Sequence, residues 1–352
     1  MYYNLDWDIR FKTTDAKTFS LGMLLECEIE ENVENLSDIA TITLPECVLN
    51  QVLKIKDKIG RGTEVSIRLG YNGDLNTEFT GFVRDITTDG ALKILCEDGF
   101  FLFRKKIPDL AVQPPKKPSK KKKDDDAGAS EPEAAAPKAL TSVKKIAEYV
   151  CKNIDPSYKV VCDFDLSYEK FIIHQATGYD VLQKLQEETK ANIYFNTEKK
   201  ELHIRAPFSE EGGYAIYCMQ KNVRSSSLEY KKSIDRKFEL TIESVQNDGT
   251  VRTEKTGTTG GDSKTIRIGQ MDAKSLKIRA QNEFQQYSQD AYDGTFDAWL
   301  IPFCKPTFSV KIIDFDYPEQ DGIYYVKSVT TKISSGGGVR TITPALKTAE
   351  AK

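Results

Sequence analysis

Between residue 1 and about residue 106 the apolar positions recur mostly every second residue. "LLECEIEENVENLSDIATITLP" spells two alternating runs joined at Asn32–Asn35, and predicts a long β-hairpin with one apolar and one polar face. "TEVSIRLGYNGDLNTEFTGFVRDITTDGALKILCED" predicts three or four further strands, with Asn72-Gly73 and Asp89-Gly90 as turn signals. "PECVLNQVLKIK" reads as a short helical turn or connector. The pattern then stops. Residues 114–138, "PPKKPSKKKKDDDAGASEPEAAAPK", contain no aromatic and no aliphatic side chain larger than alanine, which is the composition of a solvated linker. Beyond it the period becomes helical. "LTSVKKIAEYVCKNI" sets Val143, Ile146, Ala147 and Val150 on one face with Thr141 as a candidate N-cap. "TGYDVLQKLQEETKA" does the same with Tyr179, Leu182 and Leu185, and "NIYFNTEKKELHIRAP" predicts a hairpin turning at Thr197–Lys200. From about Ser225 the strand period returns in "IDRKFELTIESVQNDGTVRTEK", read as a second long hairpin. A helix capped by Asp272 follows, with Leu276, Ile278, Ala280 and Phe284 apolar, and then strands at "TFDAWLIP", "TFSVKIIDF", "GIYYVKSVTTKI" and "GVRTITPAL".

The two β regions repeat one another. Val83-Arg84-Asp85-Ile86-Thr87-Thr88 matches Val326-Lys327-Ser328-Val329-Thr330-Thr331, and each run precedes a glycine turn and a second alternating strand. Each is also preceded by a long hairpin and one further strand. The expected fold class is therefore mainly β with an α+β insert: two tube-like β-barrel domains flanking a small α/β unit. The expected boundaries are 1–112 for the first barrel, 113–139 for the linker, 140–224 for the α/β unit, 225–346 for the second barrel and 347–352 for a tail.

Composition narrows the function classes. Of 352 residues, 39% are hydrophobic and 29% charged, with a net charge of -3, so no overall basic surface favours nucleic acid. No run approaches the roughly 20 apolar residues of a membrane-spanning helix, and the start "MYYNLDWDIRF" lacks the marks of a secretory signal. The seven cysteines never fall as C-x-x-C and mostly sit within apolar alternations, as small core residues of a reducing compartment do. No catalytic, cofactor or metal motif is present. His174 and His203 are too few for a three-histidine zinc site. Glu97 and Asp98 are adjacent on a strand end and point to opposite faces. The chain is therefore expected not to be an enzyme and to need no cofactor.

Duplication suggests assembly instead. Three chains with two barrels each would present six barrels around an axis, matching a hexameric tube to a threefold partner. The candidate channel-lining residues are Glu26, Glu28, Glu30, Thr41 and Thr43 on the first long hairpin and Lys237, Glu239, Thr241 and Glu243 on the second. The carboxylates of the first would repel passing DNA rather than hold it.

The stretches "GTEVSIRLGYNGDLNTEFTGFVRDITTDGALKILCEDGFFLFRKK", "TSVKKIAEYV", "ATGYDVLQKLQEETKANIYFNTEKKELHIR" and "GIYYVKSVTTKISSGGGVRTITP" resemble, in the same order, the phage baseplate or tail hub proteins of the late control protein D family, related to hubs of contractile injection systems. The resemblance implies a homotrimer forming a pseudo-hexameric ring in a virion tail, assembled in the host cytoplasm. Its implied partners are a tail tube protein ring, a spike or tip protein and a tape-measure protein, with transient DNA passage and no specific nucleic-acid binding. The linker is not part of the family pattern, and no lysozyme or peptidase domain is recognisable. Two competing readings are a host-surface-binding module using Tyr71, Phe79 and Trp299, and a peptidoglycan-degrading tail-tip component using Glu97, Asp98 or His174.

Overall fold

In the computed structural model, which describes residues 3–13, 17–45, 59–88, 90–112, 141–163, 166–235, 237–246 and 249–350, most of the alternating runs become strands. The first β region holds β1 (Leu5–Lys12), β2 (Thr18–Ser20), β3 (Glu26–Asn32), β4 (Ile39–Leu44), β5 (Glu64–Tyr71), β6 (Asp74–Thr87) and β7 (Leu92–Glu97), then a single helical turn, α1 (Phe100–Phe103). The middle region holds β8 (Leu110–Val112), β9 (Thr141–Ser142), α2 (Val143–Ile154), β10 (Lys159–Cys162), β11 (Ser167–Tyr168), β12 (Phe171–Ile173), α3 (Gly178–Thr189), β13 (Asn192–Asn196) and β14 (Glu201–Arg205). The last region begins with β15 (Tyr214–Cys218), β16 (Val223–Ser226), β17 (Glu229–Lys231), β18 (Phe238–Val245), β19 (Val251–Gly257), β20 (Asp262–Ile268) and α4 (Ala273–Ser288). It ends with β21 (Ala291–Asp293), β22 (Phe296–Ala298), β23 (Ser309–Ile313), β24 (Gly322–Ser334) and β25 (Gly337–Glu350). The connector from residue 46, the linker 113–139, Asp89 and Asn247-Asp248 lie outside the described residues.

The fold is mainly β, with a small helical part, as the periodicity predicts. Its centre is one large sheet whose main path runs β16-β22-β25-β24-β3-β4-β7-β6-β5-β1-β2. Strands of the first and last regions therefore belong to a single sheet, joined where β24 pairs antiparallel with β3 from Ser328↔Asn32 to Ser334↔Glu26. Cys27, Ile29, Ile42, Ile67 and Ile94 form the core of the first region, and Leu300 and Ile333 of the last region complete it. Tyr217, Phe296, Val310, Tyr324, Val326 and Ile342 form a second core. The middle region packs α1, α2 and α3 around Phe100, Phe103, Val150, Leu182 and Phe195. The Asn72-Gly73 turn forms as expected, with φ of 53° and 79°, values that Asn and Gly tolerate.

Local chemistry explains where the helices begin. Thr141 is not the cap of α2, because it is held in β9 opposite Tyr168. Ser142 takes that place, accepting the Lys145 N–H at 3.3 Å. Thr177 and Asp180 form a reciprocal capping box on α3, with the Asp180 N–H donating to Thr177 Oγ1 at 3.1 Å and the Thr177 N–H donating to Asp180 Oδ2 at 2.8 Å. Thr177→Ala removes the first of these and the bond that the Thr177 hydroxyl donates to Asp180 Oδ2 at 2.7 Å. It is expected to cost about 1 kcal/mol, read as a lower urea midpoint with unchanged slope.

Two strand pairings depart from the expected boundaries. β15 and β16 pair with β23 and β22, so the last β region recruits strands from Tyr214 onward rather than from residue 225. β25 continues through residues 347–350, with Gly322 opposite Glu350, where a tail was expected.

Candidate functional site: a four-stranded wall built twice

The sequence repeat is a structural repeat down to its irregularities. β6 and β7 pair as Val83↔Cys96, Asp85↔Leu95, Ile86↔Ile94 and Thr87↔Lys93, with a register shift between Val83 and Asp85. β24 and β25 pair as Val326↔Pro344, Ser328↔Thr343, Val329↔Ile342 and Thr330↔Thr341, with a shift between Val326 and Ser328. Arg84 and Lys327 thus occupy the same bulge, which places one extra residue opposite its partner and increases local twist. β7 then pairs with β4 (Ile42↔Ile94) as β25 pairs with β22 (Phe296↔Ile342). β4 pairs with β3 as β22 pairs with β16. The run β16-β22-β25-β24 is therefore the counterpart of β3-β4-β7-β6, and the two stand side by side.

This alignment corrects the expectation for the second long hairpin. The counterpart of β3–β4 is not "IDRKFELTIESVQNDGTVRTEK" but the split pair of β16–β17 with β22–β21. That pair holds one register through Ser225↔Asp297, Ser226↔Phe296, Glu229↔Asp293 and Lys231↔Ala291. Where the first hairpin turns at Val33–Asp38, the second carries an insertion, residues 232–290. Within it β18, β19 and β20 form a separate three-stranded sheet that packs Leu240 and Ile242 against Leu276 and Ala280 of α4.

The candidate wall residues divide accordingly. Glu26↔Thr43 and Glu28↔Thr41 are opposite one another, and Glu30 opposes Ile39, so Glu26, Glu28, Glu30, Thr41 and Thr43 share one face, away from the buried Cys27, Ile29, Ala40 and Ile42. Lys237 precedes β18, and Glu239, Thr241 and Glu243 alternate along it opposite Leu240 and Ile242. The structure places them on the smaller sheet and does not bring them onto the β3–β4 face. Register adds other residues to that face: Asp85, Lys93, Lys332, Thr341, Asp297 and Ser225. Their signal was present in the alternation of the two repeated hairpins, but only strand order shows that the hairpins are coplanar. Polar bonds cross the strands here. Asp297 accepts from Ser225 Oγ at 2.8 Å and from Thr341 Oγ1 at 2.6 Å, and Lys332 Nζ lies 3.0 Å from Glu26 and 3.5 Å from Glu28. Five carboxylates (Glu26, Glu28, Glu30, Asp85, Asp297) stand against two lysines (Lys93, Lys332), leaving the face acidic.

Both ends of the eight-strand run are open among the described residues. β16 has β22 on one side and no strand on the other. β6 leaves β5 after Phe82; the Arg84 carbonyl then accepts Arg61 Nη1 at 2.8 Å, and among the described residues no strand but β7 lies beside residues 85–87. The equivalent stretch of β24 is the one covered by β3. On the open β6 edge, Asp85 Oδ1 accepts the Ile86 N–H at 2.8 Å, the kind of local satisfaction that keeps an exposed strand edge from indiscriminate pairing.

The residues weighed for chemistry have structural partners. Glu97 is fully buried and bonded by Arg104 Nε and Nη2 at 2.9 and 2.5 Å. Asp98 Oδ1 accepts the Phe100 N–H at 3.1 Å and starts α1. His174 is exposed beside Asp109 at 2.6 Å; His203 stacks on Tyr194 with ring centroids 5.0 Å apart. Phe79 is buried, Tyr71 packs against Tyr3, and Trp299 is covered on one side by the Arg224 guanidinium at 4.3 Å. They do not form one aromatic platform. Among the described residues no group of three or more His, Cys, Asp or Glu side chains is placed to hold a metal ion, and no helix is long and apolar enough to cross a membrane. The six described cysteines are unbridged.

No protein-family model matches the chain, and no curated protein matches it. Solved structures do. A tail protein from Neisseria meningitidis MC58 superposes with a TM-score of 0.62 at 13% identity, over 98% of this chain and 97% of that one. The 43 kDa tail protein of prophage MuSo2 from Shewanella oneidensis gives 0.59 at 16%, over 96% and 98%. An E. coli component of the type VI secretion system, described as structurally similar to bacteriophage T4 tail proteins, gives 0.56 at 10%, over 97% and 79%. The chain has the fold of these proteins across nearly its whole length.

Proposed function

We propose that the chain is a structural hub of a phage tail baseplate or tail tip, or of a related contractile injection machine, of the late control protein D kind. Three copies close into a ring of six four-stranded units, which joins a hexameric tail tube above to a threefold spike or tip below. A tape-measure protein is a further contact. The observation that carries this reading is the tandem order β16-β22-β25-β24 and β3-β4-β7-β6 with its in-chain joint. If β3 docks on β24 within a chain, the equivalent β16 of one chain docks on the equivalent β6 edge of the next, and the only two open edges of the run are used up. Such heterologous contacts end in a ring when the rotation closes.

The acidic face then lines the bore, with Glu26, Glu28, Glu30, Thr41 and Thr43 in its wall and the Lys237–Glu243 face outside it. Carboxylates along a conduit repel phosphates and favour passage over binding. In this reading the protein resides in the virion tail, is assembled in the host cytoplasm, and works without chemistry of its own. Electron microscopy and light scattering of the purified chain test it. Threefold rings with six similar lobes are expected; a stable monomer that never enters a tail-like particle would overturn the proposal.

A further inference from the structure

Below the joint of β3 and β24, on the core side, ionisable groups from the two wall units face one another. The first unit contributes Glu31, Glu78 and Asp98, which are 7%, 1% and 4% exposed, and the half-buried Asp38. The second unit answers with two cations. Arg340 is fully buried and grips Glu78 through Nη2 at 2.8 Å and Nη1 at 3.2 Å. Lys305 Nζ bonds Glu31 Oε1 at 2.7 Å and the Glu78 carbonyl at 2.8 Å. Arg104 neutralises the adjoining Glu97. Four carboxyl groups therefore meet two matching cations. Glu31 Oε2 and Asp98 Oδ2 are enclosed without a hydrogen-bond partner.

We propose that this cluster is a proton-held latch between the two wall units: the carboxyls left unmatched by Lys305 and Arg340 carry protons while the joint is closed, and their ionisation loosens it. An unpaired carboxylate in a low-dielectric interior is costly, so the group takes up a proton instead. Burial and then the Glu31 charge push Asp38 up to about 7. Burial, reinforced by Asp38, holds Asp98 well above the usual carboxylate range. Burial also raises Glu31 against the opposing pull of Lys305. A cavity of about 510 Å³ reaches the cluster from outside, giving solvent protons a route to it. The β13–β14 hairpin and the segment after it complete its charged lining with Glu198, Lys199, Glu201, His203 and Glu210, a set that also carries more acid than base.

The direction follows from linkage. A carboxyl whose folded-state pKa is raised stabilises the closed joint fully below its unfolded value, roughly 4. That stabilisation is lost as pH rises through the folded value, near 7 for Asp38. Asp98 acts in the same sense, whereas Glu31 is paired with Lys305 and supplies the charge that helps raise Asp38. The latch does not depend on the ring proposed above, because the joint lies within one chain.

Hydrogen exchange of the full chain, corrected for intrinsic rates, tests it between pH 6 and pH 8. Protection of the β3 and β24 amides is expected to fall about tenfold over that interval, while the β18–β20 sheet keeps its protection. Asp38→Asn should flatten the fall to less than about threefold, and Asp98→Asn carries the same test if that variant does not fold. Equal protection of the joint at both pH values, an equal fall at every amide, or an undiminished fall in the folded Asn variant would each overturn the latch.

Discussion

Arg340→Met is expected to destabilise the chain by about 3–5 kcal/mol, the usual cost of leaving a buried partner charge uncompensated. Arg340 is fully buried, and besides Glu78 its Nη1 donates to the Cys304 carbonyl at 2.6 Å and to Thr331 Oγ1 at 3.2 Å. Methionine approximates the stem and removes the charge, so Glu78 would remain 1% exposed beside no cation of its own. Denaturant titration should show a much lower midpoint or no folded baseline. Adding Glu78→Gln should recover most of the loss, because neither buried charge then remains; breaking a pair costs more than replacing it. A double variant as unstable as the single one would mean that the Cys304 and Thr331 bonds, not the ion pair, carry the effect.

Ser226→Pro is expected to abolish assembly while sparing the monomer. The Ser227 N–H donates to the Thr295 carbonyl at 2.9 Å, so by strand alternation the Ser226 N–H points away from β22 toward the open edge. Proline there removes an outward donor without touching the β22 ladder, a position that edge strands tolerate. At each proposed inter-chain joint the change removes a ladder bond and leaves the incoming β6 carbonyl without its donor, at about 2 kcal/mol. That weakens each contact about 30-fold. Light scattering should report monomers under conditions where the proposed hub would give trimers of the parent chain, and the melting temperature of the monomer should move by only a few degrees. Unimpaired trimers would rule out β16 as the joint.

Local pattern was a good guide where partners are close in sequence. The β3–β4 hairpin, the β5-β6-β7 meander and the β23-β24-β25 meander are each written in adjacent alternating runs, with glycine turns at Gly73, Gly90 and Gly336, and the face shared by Glu26, Glu28, Glu30, Thr41 and Thr43 follows from period two alone. The pattern failed at the second wall hairpin. "VRSS" and "FDA" are short and weakly alternating, and residues 232–290 intervene between their strands, whereas the insertion contains the more convincing hairpin, β18–β19. Periodicity ranks segments by their own amphipathicity and carries no information on which edge a strand meets.

The buried charges divide in the same way. Arg340 alternates in phase with Ile342 on β25, so its inward direction could be read from "VRTIT". Glu78 stands out of phase with Phe79, Gly81 and Val83. Pairing jumps from Ile67↔Phe79 to Arg68↔Thr77, and the bulge leaves Glu78 opposite no partner and turns it into the core. Alternation, turns and the doubled hairpin were determined by the sequence itself, because they depend on neighbours a few residues apart. The joint of β24 with β3, the exile of β18 to another sheet and the meeting of Glu78 with Arg340 were decided only by the tertiary structure. Each depends on pairing between segments far apart in the chain, where burial and register, not local preference, select the partner.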